Sequence, residues 1–524
     1  MSFHVSYELV PGRASSGKAL NDILTFAREA ARDGRIAALS ITDNAGGNPA
    51  LSPKSLGRDI QRMGIQPVIH FSCKDKNRNL IESELFELDR LGMRQLLVVT
   101  GDYPRYGFQG NAKPVFDLDS VLALQMVQDM NRGFLLDSRA PGGGVQMPPA
   151  SFNAGCVVSP FKRLAAELLP QYQKLIKKLA SGARFVISQT GYDMRKYHEL
   201  RLVMNILLGK THVAGPSPLF ATLFHSGPPP LFEEIPLLGT VFIPGVKMAR
   251  LLHRGVVPGC ILPKRLLERM EEEARGPDAG LAARLERAAR MIAVLKGMGY
   301  DGVHLSGPGL RYEHIVHVLD MAEAWQDRWQ AFISEFLFPE EWNAWLFEQD
   351  AATGLNSPEF RKGVETATPA IGDRFAMAAN MAVHNLFFER NAPFYEAMRA
   401  AVLFFERASL GNMLTNFEYC LKGIFYDCQS CGDCTLGEMA FLCPQSQCAK
   451  GLLNGPCGGS QNGWCEVWPG RKRCVYVRRY ERMQHFHLKG STNILPPRDW
   501  SLYRTSSWLN FFLQKDHTRY ETWR

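Results

Sequence analysis

Along the first 310 or so residues, short apolar and β-branched runs recur, each followed by a stretch with helical periodicity. The runs lie at 5–10, 37–42, 67–73, 95–100, 152–159, 184–189, 234–243 and 302–306. Helix-like segments between them include 16–33, 79–91, 119–131, 163–181, 194–208 and 281–298. Eight strands alternating with helices predict an α/β fold, a (β/α)8 TIM barrel, whose usual size of ~250 residues tolerates insertions. A doubly wound sheet is the alternative. No Gly-x-Gly-x-x-Gly follows the first run, which counts against it.

Beyond residue 312 the pattern changes. Residues 313–413 read as a helical connecting region rich in Phe, Trp, Met and Ala, with aromatic stretches at 332–338, 375–388 and 394–405 and a helix start at Pro339-Glu340-Glu341. The aromatic stripe predicts packing against the barrel. Residues 414–490 form a small cysteine-rich, metal-binding domain, and 491–524 an aromatic, polar tail without an assigned role. With the barrel at 1–312, four regions divide the 524 residues, more than one core of roughly 250–300 residues can organise.

Composition narrows the function classes. Hydrophobic content of 46% and charged content of 21% exclude a disordered or fibrous chain. No run approaches the ~18–20 apolar residues of a membrane span, and the N-terminus lacks a basic stretch followed by an apolar one, so a cytoplasmic protein without a membrane partner is expected. The net charge of +8 reads as a solvated surface with a small basic excess, not as a nucleic-acid footprint.

The cysteines carry stronger information. Nine of the 12 fall between Cys420 and Cys474, and in a reducing compartment such a cluster signals metal rather than disulfides. Cys428, Cys431, Cys434, Cys443, Cys448, Cys457, Cys465 and Cys474 can fill two four-thiolate sites, leaving Cys420 over. The C-x2-C-x2-C run and the Cys443-Pro444 pair favour two [4Fe–4S] clusters, with tetrahedral zinc as the alternative. Downstream, Arg471-Lys472-Arg473 and Arg478-Arg479 balance the thiolate charge or form a docking face for an acidic electron carrier.

Polar residues gather at the strand ends: Glu8 in the first run, Thr42-Asp43-Asn44 after the second, and His70 in the third. Thr100-Gly101-Asp102 follows the fourth, Gln189 the sixth, and His304 lies in the eighth. C-terminal strand ends converge on one face of a barrel, so these residues are expected to become neighbours where a ligand binds.

On these residues the chain resembles methylenetetrahydrofolate reductase. The resemblance rests on Ser6-Tyr7-Glu8-Leu9-Val10-Pro11, Leu39-Ser40-Ile41-Thr42, Val68-Ile69-His70-Phe71-Ser72-Cys73, Val98-Val99-Thr100-Gly101-Asp102-Tyr103-Pro104, Lys113-Pro114-Val115-Phe116 and Ile187-Ser188-Gln189. Cys428-Gln429-Ser430-Cys431-Gly432-Asp433-Cys434 and Asn454-Gly455-Pro456-Cys457-Gly458-Gly459 resemble the cysteine-rich domain that accompanies acetogen-type reductases.

The resemblance implies a flavoprotein of one-carbon metabolism and methionine biosynthesis that reduces 5,10-methylenetetrahydrofolate to 5-methyltetrahydrofolate. Glu8 matches the catalytic acid, active as such if burial raises its pKa towards neutrality. Asp102 matches the carboxylate between flavin and folate, and Gln189 the pterin-binding amide. Thr42, Ala45, His70, Gly101, Asp102, Phe116 and Lys178 match flavin-contacting positions. Asp43 and Thr100 replace a Tyr and an Arg of better-known bacterial members, and Gly155-Cys156-Val157-Val158-Ser159 lacks a Tyr and a His, so either FAD or FMN fits. Implied partners are the tetrahydrofolate substrate and an acidic electron carrier of ferredoxin or flavodoxin type, or an electron-transfer subunit, with a homo-oligomer left open. A barrel methyltransferase acting between folate and a corrinoid or thiol, with a structural zinc domain, is the alternative reading.

Overall fold

The computed structural model describes residues 3–136, 144–211, 218–224, 228–363, 368–488 and 493–519. Eight parallel strands close a barrel: β1 (His4–Leu9), β2 (Ala38–Ile41), β3 (Gln66–Ser72), β4 (Gln95–Val99), β5 (Asn153–Val158), β6 (Val186–Ser188), β7 (Leu237–Phe242) and β8 (Gly302–Ser306). Each strand pairs with its sequence neighbour and β8 returns to β1, as in Ser6 opposite both Ala38 and His304. This is the TIM barrel expected from the alternating runs.

Alternation along the strands decides which face each side chain meets. Val5, Tyr7 and Leu9 point outward into the main core, where Tyr7 stacks on Phe26 at 4.3 Å between ring centroids. Ala38, Val68, Leu97, Ile187 and Leu238 fill the barrel interior. Gly155 lacks a side chain where the Phe185 ring lies, so a substituent there would collide with that ring.

Between residues 326 and 360 the structure departs from the expected helix. Gln326–Phe336 and Pro339–Glu341 are 3-10 turns, and Phe347–Gln349 pairs with Asn356–Phe360 as an antiparallel hairpin. Side chains of the helix Met194–Leu207 and its cap also hold this segment. Asp193 accepts from Phe338 N at 2.9 Å and Trp342 Nε1 at 3.0 Å, Glu199 accepts from Leu346 N at 2.7 Å, and Asn356 bonds Arg195. Phe336, Phe338, Trp342, Trp345 and Phe347 are buried here, as the aromatic pattern predicts.

The later aromatics behave differently. Helices Ile371–Phe387, Tyr395–Arg407 and Gly411–Tyr426 leave Phe375, Phe404 and Phe425 76%, 62% and 72% exposed, so this part of the stripe does not pack on the barrel. Their inward positions are spent on one another and on the tail: Val402 and Leu414 cluster with Leu509 and Phe512, while Glu418 pairs with Lys422. Helix Val475–His485 ties the cysteine-rich region to the barrel, because Val477 and Tyr480 join the main core. Among the described residues no helix is long and apolar enough to cross a membrane.

Candidate functional site

Period-two placement carries polar side chains into the barrel interior at the C-terminal ends of β1, β2, β3 and β8. Ser306 Oγ donates to Glu8 Oε1 at 3.0 Å, and Glu8 Oε2 lies 3.7 Å from His304 Nε2 and 4.0 Å from His70 Nε2. Ser6 Oγ holds His304 Nδ1 at 2.9 Å, and Ser40 Oγ lies 3.3 Å from His70 Nε2 and 3.5 Å from His304 Nε2. Glu8, His70 and His304 thus converge within 4.8 Å of one another.

The electrostatics correct one expectation. Burial works to raise the Glu8 carboxyl, but the His304 imidazole, the neighbouring His70 and the Ser306 hydroxyl outweigh it and hold the group down at about 2. Burial is the main cause pushing His70 down to about 4, against the opposing pull of Glu8. Glu8 is a carboxylate in this arrangement rather than a carboxyl raised towards neutrality.

The remaining expected residues stand on the strand ends, loops and helices around this cluster. Thr42 is buried at the end of β2, and the turn Ala45–Gly47 follows, its Gly46 N donating to Asp102 Oδ2 at 2.7 Å. Gly101 adopts φ +88°, and a Cβ there would strike Ser72 Oγ and the Lys74 side chain, so only glycine brings β4 this close to β3. Phe116 bridges to Lys76 and stacks beside Tyr103 at 6.4 Å. Lys178 reaches from the helix Ala165–Ala180 to donate to Val157 O at 2.6 Å; burial foremost, with Lys174, pushes its amine down to about 8. Gln189 closes the β6 side, its Oε1 accepting from Thr190 N at 2.8 Å.

The eight thiols fall into two groups of four. Cys431 is pushed up to about 11 by burial and then by Cys434 and Cys443, against the pull of Arg498, and Cys428 feels the same two neighbours. A small cavity is lined by these four side chains. Donors face the sulfurs: Arg498 Nη1 lies 3.3 Å from Cys431 Sγ, Lys422 Nζ 3.7 Å from Cys434 Sγ, and Ser430 N 3.4 Å from Cys428 Sγ. Cys457 is pushed up to about 12 by burial, with Glu466 and Cys448 adding to it; Cys448 feels Cys465, and Cys474 feels both Cys457 and Cys448. None of the 12 cysteines forms a disulfide. Thiols gathered in this way, partly shielded from solvent and in the first group faced by hydrogen-bond donors, are the donor set of a thiolate-ligated metal or cluster.

The tail, which has no role at the sequence level, encloses the first group. Asn510 Nδ2 donates to Gly432 O at 2.9 Å, Asp499 N to Asp433 Oδ2 at 3.3 Å, and His517 Nδ1 pairs with Asp433 Oδ1 at 2.6 Å. The basic run is used in part internally: Arg478 and Arg482 both bind Asp373, at 2.6 and 2.8 Å, and Arg473 pairs with Glu481 at 2.5 Å, leaving Arg471 and Lys472 exposed.

The second group lies against the barrel mouth. Residues 454–463 form a strap held by four barrel side chains. Lys162 Nζ donates to Gly458 O at 2.5 Å and Ser460 O at 2.7 Å, and Lys174 Nζ to Gly455 O and Pro456 O, each at 3.2 Å. Glu167 accepts from Gly463 N, and Asp119, which caps helix Ser120–Asn131, accepts from Asn454 N, both at 2.9 Å. Gly259 comes so near that a Cβ on it would sit 2.8 Å from Gly458 O and 3.7 Å from Gln189 Nε2. Sequence reasoning missed Ser6, Ser40, Ser306, Lys162 and Lys450 as site residues. The serines carry a signal, since each stands two positions from a polar strand residue; the lysines carry none.

No curated protein matches the chain. Among solved structures, an uncharacterized protein from Clostridium thermocellum that binds two copies of 5-methyl-5,6,7,8-tetrahydrofolic acid is 12% identical, with a TM-score of 0.40, over 62% of this chain and 95% of that one. A chain described as a deoxyribose-phosphate aldolase from Toxoplasma gondii ME49 is 10% identical, with a TM-score of 0.29, over 62% and 93%. Likenesses this low carry no argument. The family models do: methylenetetrahydrofolate reductase matches residues 1–214, and methylene-tetrahydrofolate reductase C terminal matches residues 408–501. The chain therefore joins a methylenetetrahydrofolate reductase barrel to that family's C-terminal domain, and is a methylenetetrahydrofolate reductase-type oxidoreductase.

Proposed function

We propose that the barrel mouth reduces 5,10-methylenetetrahydrofolate to 5-methyltetrahydrofolate with a bound flavin, FAD or FMN, and that electrons reach it through two four-thiolate clusters. In this reading residues 1–312 are the reductase barrel, 313–413 a connecting region, 414–490 the cluster domain and 491–524 a tail that seals the first cluster. The observation that carries the proposal is the strap: it sets Cys457 and its group against the strand ends that bear Asp102 and Gln189.

The residues present suit such a cofactor. Thr42, Ala45, His70, Gly101, Phe116 and the Lys178 amine lie along the β2–β5 side, where the close approach at Gly101 and a half-buried ammonium bonded to a carbonyl suit a flat ring with an anionic tail. A bound flavin would supply the hydride. Glu8, His304 and Gln189 occupy the β1, β8 and β6 side, with Asp102 between the two sets. Opening the substrate's five-membered ring needs a proton at nitrogen. Glu8, whose Oε2 lies 3.7 Å from His304 Nε2, is the group placed to deliver it; because its carboxyl is held down here, it must take up that proton as substrate enters and loosens its hold on these neighbours. Asp102 places negative charge beside the cation that forms, and Gln189 offers an amide to the pterin edge.

Each thiolate group would hold one [4Fe–4S] cluster, the Cys448, Cys457, Cys465 and Cys474 group nearer the barrel and the Cys428, Cys431, Cys434 and Cys443 group farther along the relay. An acidic electron carrier or electron-transfer subunit would load the outer cluster. Anaerobic purification with iron, sulfide and flavin analysis tests this: about eight iron and eight labile sulfide per flavin are expected. Zinc without labile sulfide would end the relay, and a colourless protein would end the reductase chemistry in favour of a methyltransferase.

A further inference from the structure

We infer that Lys450 and Glu466 form a buried charge pair that sets the reduction potential of the barrel cofactor from the cysteine-rich domain. The inference rests on the reading of a flavin at the barrel mouth. Lys450 follows Cys448 by two residues, yet its ammonium leaves its own domain and donates to Gly101 O at 2.7 Å. It also lies 5.6 Å from the Phe116 ring and acts on Asp102 and Cys457. Glu466 closes on the ammonium from the cysteine side, and the two side chains are only 4% and 7% exposed. Gly459 makes room for that carboxylate, since any Cβ there would collide with Glu466.

A buried ion pair returns little net stability, because desolvating both charges offsets their attraction. Its field is the larger consequence. The pair is a dipole between the inner thiolate group and the cofactor positions, positive end towards Gly101 and Phe116, negative end towards Cys457. Two-electron reduction of an isoalloxazine with uptake of one proton leaves one net negative charge on it. The Lys450 ammonium stabilises that charge, and the Glu466 carboxylate, one group farther back, opposes it in a low-dielectric setting. The two residues therefore tune the same equilibrium in opposite senses, which packing alone does not do.

The test is a spectroelectrochemical titration of flavin in the metal-loaded full chain. Lys450→Met is expected to destabilise the reduced form about tenfold, a fall of about 30 mV for a two-electron couple, and Lys450→Arg to restore most of it. Glu466→Gln is expected to move the potential upward, and this variant stands independently should Lys450→Met fail to fold. Shifts of the same sign for Lys450→Met and Glu466→Gln, or an unmoved potential in Glu466→Gln, would overturn the inference. Wild-type protein without flavin would instead overturn the reading on which it rests.

Discussion

Replacing Lys162 by Met isolates the contact between strap and barrel. The Lys162 ammonium is 1% exposed and donates to two strap carbonyls, Gly458 O at 2.5 Å and Ser460 O at 2.7 Å. Methionine keeps most of the volume but leaves both carbonyls without that donor. An orphaned buried acceptor costs about 1–3 kcal/mol, partly offset because the ammonium no longer has to be desolvated, so a net loss of about 2–4 kcal/mol is expected. At 1.36 kcal/mol per factor of ten, the undocked strap becomes roughly 30- to 1,000-fold more populated. Hydrogen exchange reads this directly. The amides of Asn454 and Gly463, now bonded to Asp119 and Glu167, should exchange faster by that factor, while amides of β1 and β8 stay protected. Strap exchange within threefold of wild type would refute the reasoning, and an equal acceleration across the barrel would show that Lys162 supports the whole fold instead.

Three further outcomes follow from the site. Glu8→Gln should retain its flavin and lose about 10²- to 10⁴-fold in methylene reduction measured by single turnover, and undiminished turnover would refute the assigned acid. Acid stability should fall in two overlapping windows. His70 sits at about 4 against an ordinary 6.5, so the unfolded chain takes its proton first and about 3 kcal/mol is lost as pH falls from 6.5 to 4. Glu8 sits at about 2 against 4.5, and its contribution is lost between 4.5 and 2. Denaturant midpoints of His70→Gln should be flatter than wild type between pH 6.5 and 4, and identical slopes would count against this. Cys431→Ser and Cys457→Ser should each remove about half of the iron, but only Cys457→Ser should also weaken flavin retention, as measured by flavin content after gel filtration, because only Cys457 lies in the strap.

Much of this was legible in the chain itself. Eight β-branched runs separated by amphipathic stretches specify a parallel barrel, because strands apolar on both faces need helices outside and packing within. The thiolate spacing likewise declares a metal-binding region without reference to any fold. The polar pairs two residues apart, Ser6 and Glu8, Ser40 and Thr42, His70 and Ser72, His304 and Ser306, place interior polar groups on four neighbouring strands, a readable sign of a site. At residues 326–360 the pattern misleads, because Asp193, Glu199 and Arg195 on a distant helix supply the hydrogen bonds that a local helix would have made for itself.

Tertiary structure alone decided the remainder. No local signal tells which four thiols gather together, that the tail wraps the first group, or that Lys162, Lys174, Asp119 and Glu167 seize the second. Those bonds join residues more than 280 positions apart. Nor does burial in sequence terms foretell the charge on Glu8: desolvation favours the neutral acid, and only the arrival of His304 and Ser306 from the last strand and of His70 from the third reverses it. Periodicity is a property of neighbours along the chain, whereas the state of a charge and the docking of a domain depend on partners that closure of the barrel brings near.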